Sequence, residues 1–389
     1  MQQEFDCIVI GAGAAGASAA YQLAKRGKSV LLLEQYAVGH DRGASQGHSR
    51  IFRFAYDSID YARMAMRSLI SWRNLEADAG LKLLTMTGGL DVGAAGAASL
   101  EATAQGMKNA GASFERLTSS ELMQRFGQWR VPENWVALHS QDAGILNPTH
   151  CTEVIAGMAR AHGASILEHT TVEKLELETS TVVTSKGNFT ADKIIVAAGA
   201  WLPELIPNLS LNLQITLESG VFFRPKNPAM FMPERFPLFI EHRITTPETD
   251  RFDAAQAYGF PIYGLPGVKI GLHHSGETVT ASNRHFEVSQ RTLATLQAWM
   301  LEHLPDAAGE IIHAKTCLYS NTNNHDFLID WHSKLTPEGS SDVLIASPCS
   351  GHGFKFAPFI GELLADMVIG QANEFQLERF GADSHLIKS

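Results

Sequence analysis

Cysteine is scarce: four in 389 residues, Cys7, Cys151, Cys317 and Cys349, far apart and never in Cys-x-x-Cys spacing. That excludes a zinc ribbon and a disulfide framework as the basis of the fold, and Cys7 and Cys151 read as small buried residues. No apolar run approaches the roughly 18 residues of a membrane span. Strand-like sequence begins within a few residues of Met1, leaving no room for a signal peptide, so a soluble cytoplasmic protein is the expectation. Lys and Arg number 31 against 41 Asp and Glu and form no block, which argues against a nucleic-acid partner. Solenoid repeats and low-complexity tracts are missing as well.

What the chain does have is glycine, 33 residues, in a 45% hydrophobic background. That composition suits a compact α/β protein, and the length exceeds what one core sustains, so two connected domains are expected. The densest signal lies at the start. Cys7-Ile8-Val9-Ile10, then Gly11, Gly13 and Gly16, an Ala-rich stretch, Val30-Leu31-Leu32-Leu33 and Glu34 read as strand, tight turn, helix, parallel strand and acid. This is the unit that holds a dinucleotide: Gly11 permits the turn, Gly13 the approach of a pyrophosphate, and Gly16 close packing of helix on strand. The helix start attracts phosphate, and Glu34 accepts from ribose hydroxyls.

Farther along, a Gly-, His- and Ser-rich segment, Gly39 to Ser49, interrupts the α/β rhythm, as a loop lying against a ligand does. Tyr61, Ala65, Leu69, Trp72 and Leu75 recur at helical spacing and form a core face. Thr85 to Gly93 is strand-like. Gly144 to Thr149 ends another extended piece, with Thr149 as the expected cap of a helix through Val154, Met158 and Ala161. A meander follows: Val172 to Leu177, Thr181 to Thr184, a turn at Lys186-Gly187, and Ile194 to Ala197 running into Gly199-Ala200-Trp201. Residues 211 to 280 look like an antiparallel substrate domain, and Leu293, Leu296, Met300 and Leu304 share a helix face. Val343 to Ala346, a Gly-rich turn and the apolar helix Phe359 to Ile369 repeat the strand-turn-helix theme, so the C-terminus returns to the nucleotide domain. The expected class is α/β (α+β), a Rossmann-like domain beside a mostly antiparallel β domain.

Candidate chemistry-bearing residues are cationic and aromatic. Arg50 and Arg53 follow the Gly-rich loop, where guanidinium groups can bind a carboxylate in two-pronged fashion. Lys269, Gly271 and His273 share one face of a strand. A desolvated Lys there stabilises negative charge developing on oxygen, and a His positions an amine or carboxylate. Cys317 and Tyr319 likewise share a face. Ser350-Gly-His-Gly-Phe-Lys355, ahead of a helix, offers N–H groups, an imidazole and an ammonium to one end of a bound ring.

Arg50-Ile-Phe-Arg53, Tyr258-Gly-Phe-Pro261, Lys269-Ile-Gly-Leu-His273, Cys317-Leu-Tyr319 and Gly351-His-Gly-Phe-Lys-Phe356, in that order behind the fingerprint, resemble the monomeric sarcosine oxidase and N-methyltryptophan oxidase family of flavin amine oxidases. The resemblance implies FAD joined through an 8α thioether to Cys317, in a glutathione-reductase-like domain. It implies Arg53 and Lys355 for the substrate carboxylate, Tyr258, His273 and Tyr319 lining the substrate site, Arg50, Lys269 and His352 as basic groups around the flavin, and Lys269 as the oxygen-activating lysine. The cofactor is expected on Gly11, Ala12, Gly13, Ala15, Gly16, Glu34 and Gln35, then on Gly43, Ala44, Ser45, Ser49, Arg50 and Ile51. Val172, Ala198, Gly199 and Trp201 follow, with Cys317 and Leu318, and finally Ser350, Gly351, His352, Gly353, Phe354 and Lys355. The domains fall at 1–84, 145–210 and 318–389 for FAD and 85–144 and 211–317 for substrate.

The chemistry so implied is hydride transfer from a secondary amino acid to FAD, hydrolysis of the imine and reoxidation by O2 to hydrogen peroxide, in a monomer. A quinone- or protein-linked dehydrogenase is the alternative; a nicotinamide-dependent dehydrogenase uses the same N-terminal fingerprint and would be excluded by a yellow protein whose colour survives acid precipitation, and a non-catalytic binding module fits the cationic and aromatic residues less well. Ala44-Ser-Gln-Gly-His48 and the stretch Pro225 to Ala257 depart from the sarcosine enzymes, which leaves the substrate side chain open.

Overall fold

A computed structural model describes residues 4–385 apart from 210, 212, 247, 337, 338, 374 and 376. Its first body is an eight-stranded sheet. The strand Glu4–Ile10 pairs in parallel with Val30–Leu33 on one side and Gly187–Val196 on the other. Val343–Ser347 extends the parallel array next to Gly187–Val196. These central strands are apolar on both faces, as a sheet covered on both sides must be. The helices Ala14–Lys25, Pro148–Ala161 and Ala357–Ile369 cover one face. The first and last cross closely because Gly361 has no side chain: a Cβ there would stand 2.5 Å from Ser18 Cβ.

The second body is a nine-stranded sheet built on Gln214–Phe223. That strand pairs along its length with Ile311–Asn321 and, on its other edge, with Val268–His273. Gln256–Phe260 and Leu238–His242 continue the array, and Leu238–His242 then runs parallel to Gly89–Ala94. Trp129, Phe223, Phe231, Phe236, Phe239 and Trp299 form its core, packed in edge and stacked arrangements such as Phe239 on Trp299 at 5.2 Å. A three-stranded sheet of Arg50–Phe52, Gly144–Leu146 and Leu84–Met86 joins the two bodies. No helix among the described residues is long and apolar enough to cross a membrane.

Two expectations from the sequence need correction. Asn147, not Thr149, caps the helix Pro148–Ala161: its side chain accepts from His150 N–H at 3.1 Å, and Pro148 occupies the first helical position. The Thr149 hydroxyl instead accepts from the Gly47 N–H at 3.0 Å, tying the Gly-rich loop to this helix. The boundaries at 84/85, 144/145 and 317/318 fall inside strands, Leu84–Met86, Gly144–Leu146 and Ile311–Asn321. Continuous pairing with Gln214–Phe223 carries the second sheet on to Asn321.

Candidate active site

The fingerprint turn is held by contacts only glycine allows. Gly11 has φ +96°, and a Cβ there would lie 2.6 Å from Ala197 O; at Gly16 it would lie 1.9 Å from Gly11 O. The turn leaves the start of the helix open, with Ala14 N–H donating to Ser45 Oγ at 2.9 Å. Glu34 is buried, and its carboxylate accepts from Ala12 N–H and Tyr36 N–H, each at 2.9 Å. Tyr36, His40 and Trp201 gather beside it, with Tyr36 4.9 Å from His40 and 5.9 Å from Trp201 between ring centroids.

From this turn a cavity of about 570 Å³ runs to the face of the second sheet. Two glycines clear that face. Lys269 passes over Gly220, where a Cβ would come within 2.9 Å of its Cε, and Tyr258 lies over Gly271, where a Cβ would meet its hydroxyl at 2.8 Å. Lys269 Nζ donates to Ser49 O and Oγ, both at 3.2 Å. His273 Nδ1 is 3.3 Å from the Tyr319 hydroxyl. Behind them Glu218, wholly buried, accepts from Thr216 Oγ1 and from the N–H groups of Ser275 and Gly276, which fixes the turn after His273. Gly351, at φ +77°, brings the other body's loop under these rings; a Cβ there would be 2.4 Å from the Tyr319 ring and 2.8 Å from that of His273.

Cations approach from the three-stranded sheet and from the turn ahead of the last helix. Arg50 donates to Ser49 O and Ala44 O at 2.9 and 2.8 Å, and Arg53 Nη1 to Asp91 Oδ1 at 2.7 Å. Lys355 Nζ donates to the Tyr56 hydroxyl at 2.8 Å and to His352 O at 2.6 Å. Its own carbonyl is gripped by Ser68 Oγ and Trp72 Nε1. Among the described residues no carboxylate is ion-paired with Lys355, Lys269 or Arg50.

Burial sets the protonation of this cluster. It lowers Lys269, with help from Arg50, to about 7. It holds Lys355, next to Arg53, well below the usual lysine range. Burial also keeps His273 and His352 well below 6.5. Burial thus disfavours the cationic form of His352; its Nδ1 lies 3.1 Å from the Tyr56 hydroxyl and its ring stacks on Phe327 at 4.9 Å. The Cys317 thiol is raised by burial against the opposing pull of Arg50, and Tyr258 and Tyr319 are raised by burial too.

Of the residues singled out from the sequence, Arg50, Arg53, Tyr258, Lys269, His273, Tyr319, His352 and Lys355 all line the cavity. So do Cys317, Leu318, Val172, Ala198, Gly199 and Trp201, together with the fingerprint and loop residues other than Gly16. Gly16 sits behind the wall, at the helix-strand contact. Ser350 does not face the cavity either; buried at φ 41°, it donates to Asp326 O at 3.2 Å. Sequence reasoning missed Tyr36, His40, Gln46, Tyr56 and Asp91. Only the first three lie within or beside a segment already marked as ligand-facing.

A phosphate-binding turn at one end and buried cations and phenols at the other define a dinucleotide-dependent oxidoreductase. Residues 6–367 match the family described as FAD dependent oxidoreductase (DAO), and the chain belongs to that family. Over 396 residues it is 33% identical to a monomeric sarcosine oxidase from Bacillus sp. (strain B-0618), covering 100% of this chain and 98% of that one. It is 29% identical to an N-methyl-L-tryptophan oxidase from Salmonella heidelberg (strain SL476), covering 97% of this chain and 98% of that one. The solved structure of NikD, an unusual amino acid oxidase essential for nikkomycin biosynthesis, superposes with a TM-score of 0.85 at 23% identity over 97% of both chains. That last likeness speaks to the fold alone.

FAD suits the residues present. The glycine turn leaves room where a pyrophosphate needs it, and Gln46 Oε1 is a buried acceptor with no partner on the cavity wall, ready for a ligand N–H or O–H. Gly16→Ala is expected to yield protein without bound flavin, because its methyl group cannot fit unless helix and strand separate, at a cost of about 1–3 kcal/mol or more. Visible absorbance of the purified variant checks it.

Proposed function

We propose that this enzyme oxidises secondary amino acids of the N-methyl or cyclic type, with O2 as acceptor and hydrogen peroxide as product. The observation that carries the proposal is the juxtaposition, at one end of the cavity, of Arg53 and a buried Lys355 without an acid partner against Tyr258, His273 and Tyr319. A substrate carboxylate would restore the charge of Lys355 and engage the free edge of Arg53. That leaves the amine facing the phenols and His273, where the surrounding cations disfavour its ammonium form and favour the neutral amine whose lone pair drives C–H cleavage. FAD supplies the two-electron acceptor, and the imine product hydrolyses in water. Lys269, opposite, stabilises negative charge as oxygen is reduced. The names of the relatives, one of them called monomeric, support both the substrate class and a single-chain enzyme; cytoplasmic residence is part of the same proposal.

A peroxide-coupled screen over sarcosine, N-methyltryptophan, other N-alkyl amino acids and cyclic imino acids tests the proposal. Peroxide formed under air with at least one of them, and formed far more slowly with matched amines lacking a carboxylate, is the expected result. Flavin reduction without peroxide would instead favour the quinone- or protein-linked dehydrogenase. For the thioether, the intact denatured chain should carry the mass of FAD and Cys317→Ser should lose it; a free thiol in the parent rejects the link. Cys317 lines the cavity beside Leu318 on the strand Ile311–Asn321. Its raised pKa means that forming the thiolate depends on Arg50 and on the ligand itself.

A further inference from the structure

Arg53 is held from outside the cavity. Its Nη1 donates to Asp91 Oδ1 at 2.7 Å, and the same oxygen lies 2.9 Å from His242 Nε2, whose Nδ1 is 3.1 Å from Ser99 Oγ. Asp91 and His242 are both buried and neither lines the cavity, whereas Arg53 does. The arrangement follows from strand register. Gly89–Ala94 and Leu238–His242 run parallel, with Gly93 opposite His242 and Asp91 opposite Ile240, so Asp91 and His242 project from the same face one diagonal step apart. Gly93 makes the step passable: a Cβ there would come within 2.3 Å of His242 O and 3.2 Å of His242 Cβ. On the inner side, the guanidinium carbon of Arg53 stands 5.2 Å from the Tyr56 ring centroid, and Lys355 bonds that ring's hydroxyl. The guanidinium is thus fixed at one edge by a carboxylate and on one face by an aromatic ring, which leaves its remaining N–H groups for the cavity.

Resting on the substrate class proposed above, we infer that Asp91, seated by His242, is a positioning residue for the reaction. It locks the plane of Arg53 so that the free edge and Lys355 together receive the substrate carboxylate. The lock has an electrostatic drawback, since a buried anion beside the clamp repels the very group the clamp binds. Asp91 is useful there only if orientation outweighs charge, and the two effects have opposite signs in a binding experiment. An arginine swings over a wide rotamer space, and misplacing a binding group by about 1 Å can cost roughly 10²-fold.

The test uses the flavin-loaded enzyme, with propionate as a probe titrated against the visible spectrum and sarcosine or N-methyltryptophan as substrate. For Asp91→Ala, propionate affinity is expected to fall and KM to rise roughly 10- to 100-fold. The rate of flavin reduction at saturation stays close to the parent's, and a carboxylate-free secondary amine reduces the flavin as in the parent. Asp91→Asn, which keeps the volume and an oxygen acceptor, falls between. His242→Leu, which leaves Arg53 and Asp91 in place, shifts propionate affinity in the same direction, guarding against a misfolded Asp91 variant. Tighter propionate binding in Asp91→Ala would mean that charge, not orientation, is what Asp91 contributes, and overturns the inference; so does unchanged binding. If no secondary amino acid reduces the parent's flavin while propionate binds it, the proposed substrate class fails, and the propionate series still decides the role of Asp91.

Discussion

Replacing Lys269 with methionine is expected to slow reoxidation of the reduced flavin by O2 roughly 10²- to 10³-fold, the loss seen when one preorganised donor is taken from a developing anion. Flavin reduction by the amine should change only a few-fold, because the side chain faces Ser49 rather than the carboxylate clamp. The effect is large because Lys269 is buried on a cleared strip of sheet, packed 4.8 Å from the Phe260 ring centroid, where charge interacts at low dielectric. Its lowered pKa adds a signature. With the value at about 7, the ammonium form predominates below that pH and the neutral amine above it. The reoxidation rate constant of the parent should therefore decline as pH rises through the lysine's titration, and Lys269→Met should flatten that profile. Stopped-flow traces of reduction and reoxidation, recorded separately across pH, decide the matter; equal slowing of both half-reactions removes Lys269 from the oxygen step.

The second large effect is expected at Lys355. Lys355→Met should lower kcat/KM for a carboxylate-bearing amine by about 2–5 kcal/mol, roughly 30- to 4000-fold, because the bound carboxylate would then be buried with half its clamp. An amine without a carboxylate should hardly notice. Stability moves the other way. Burial depresses the Lys355 pKa, so below the ordinary lysine pKa the unfolded chain holds that proton more tightly than the folded one, and the residue opposes folding there. Removing it should leave Tm unchanged or higher, which separates a binding defect from a folding defect. A collapse in Tm together with equal losses for both amines would count against the clamp.

How far these features can be read from the sequence depends on their range along the chain. The fingerprint is legible because strand, turn, helix and acid are contiguous, and its glycines fix their own geometry. Lys269, Gly271 and His273 are legible as a strand face for the same reason. What the face needs, the empty ground at Gly220 and the ring of Tyr258 across Gly271, depends on which strands become neighbours. Tyr56 and Asp91 were invisible: Tyr56 reads as one aromatic among many, and Asp91 matters only because Arg53 and His242 reach it from distant segments. His352 shows the other limit. Its place on the cavity wall follows from the motif, whereas the lowering of its pKa depends on burial among Tyr56, Phe327 and Lys355, which only the fold brings together.

The strand Ile311–Asn321 belongs to the second sheet, yet its Cys317 and Leu318 share a cavity wall with the fingerprint turn of the first. A cofactor spanning that wall would add a further link between two bodies that also meet through the three-stranded sheet and the apolar cluster of Ala200, Ile215, Leu217 and Leu318. Whatever free energy it gains on binding becomes cohesion between them. Should the thioether form as well, the cofactor would be tethered covalently to the second sheet while the first held its nucleotide end noncovalently, so the bodies could not drift apart without shedding that end first.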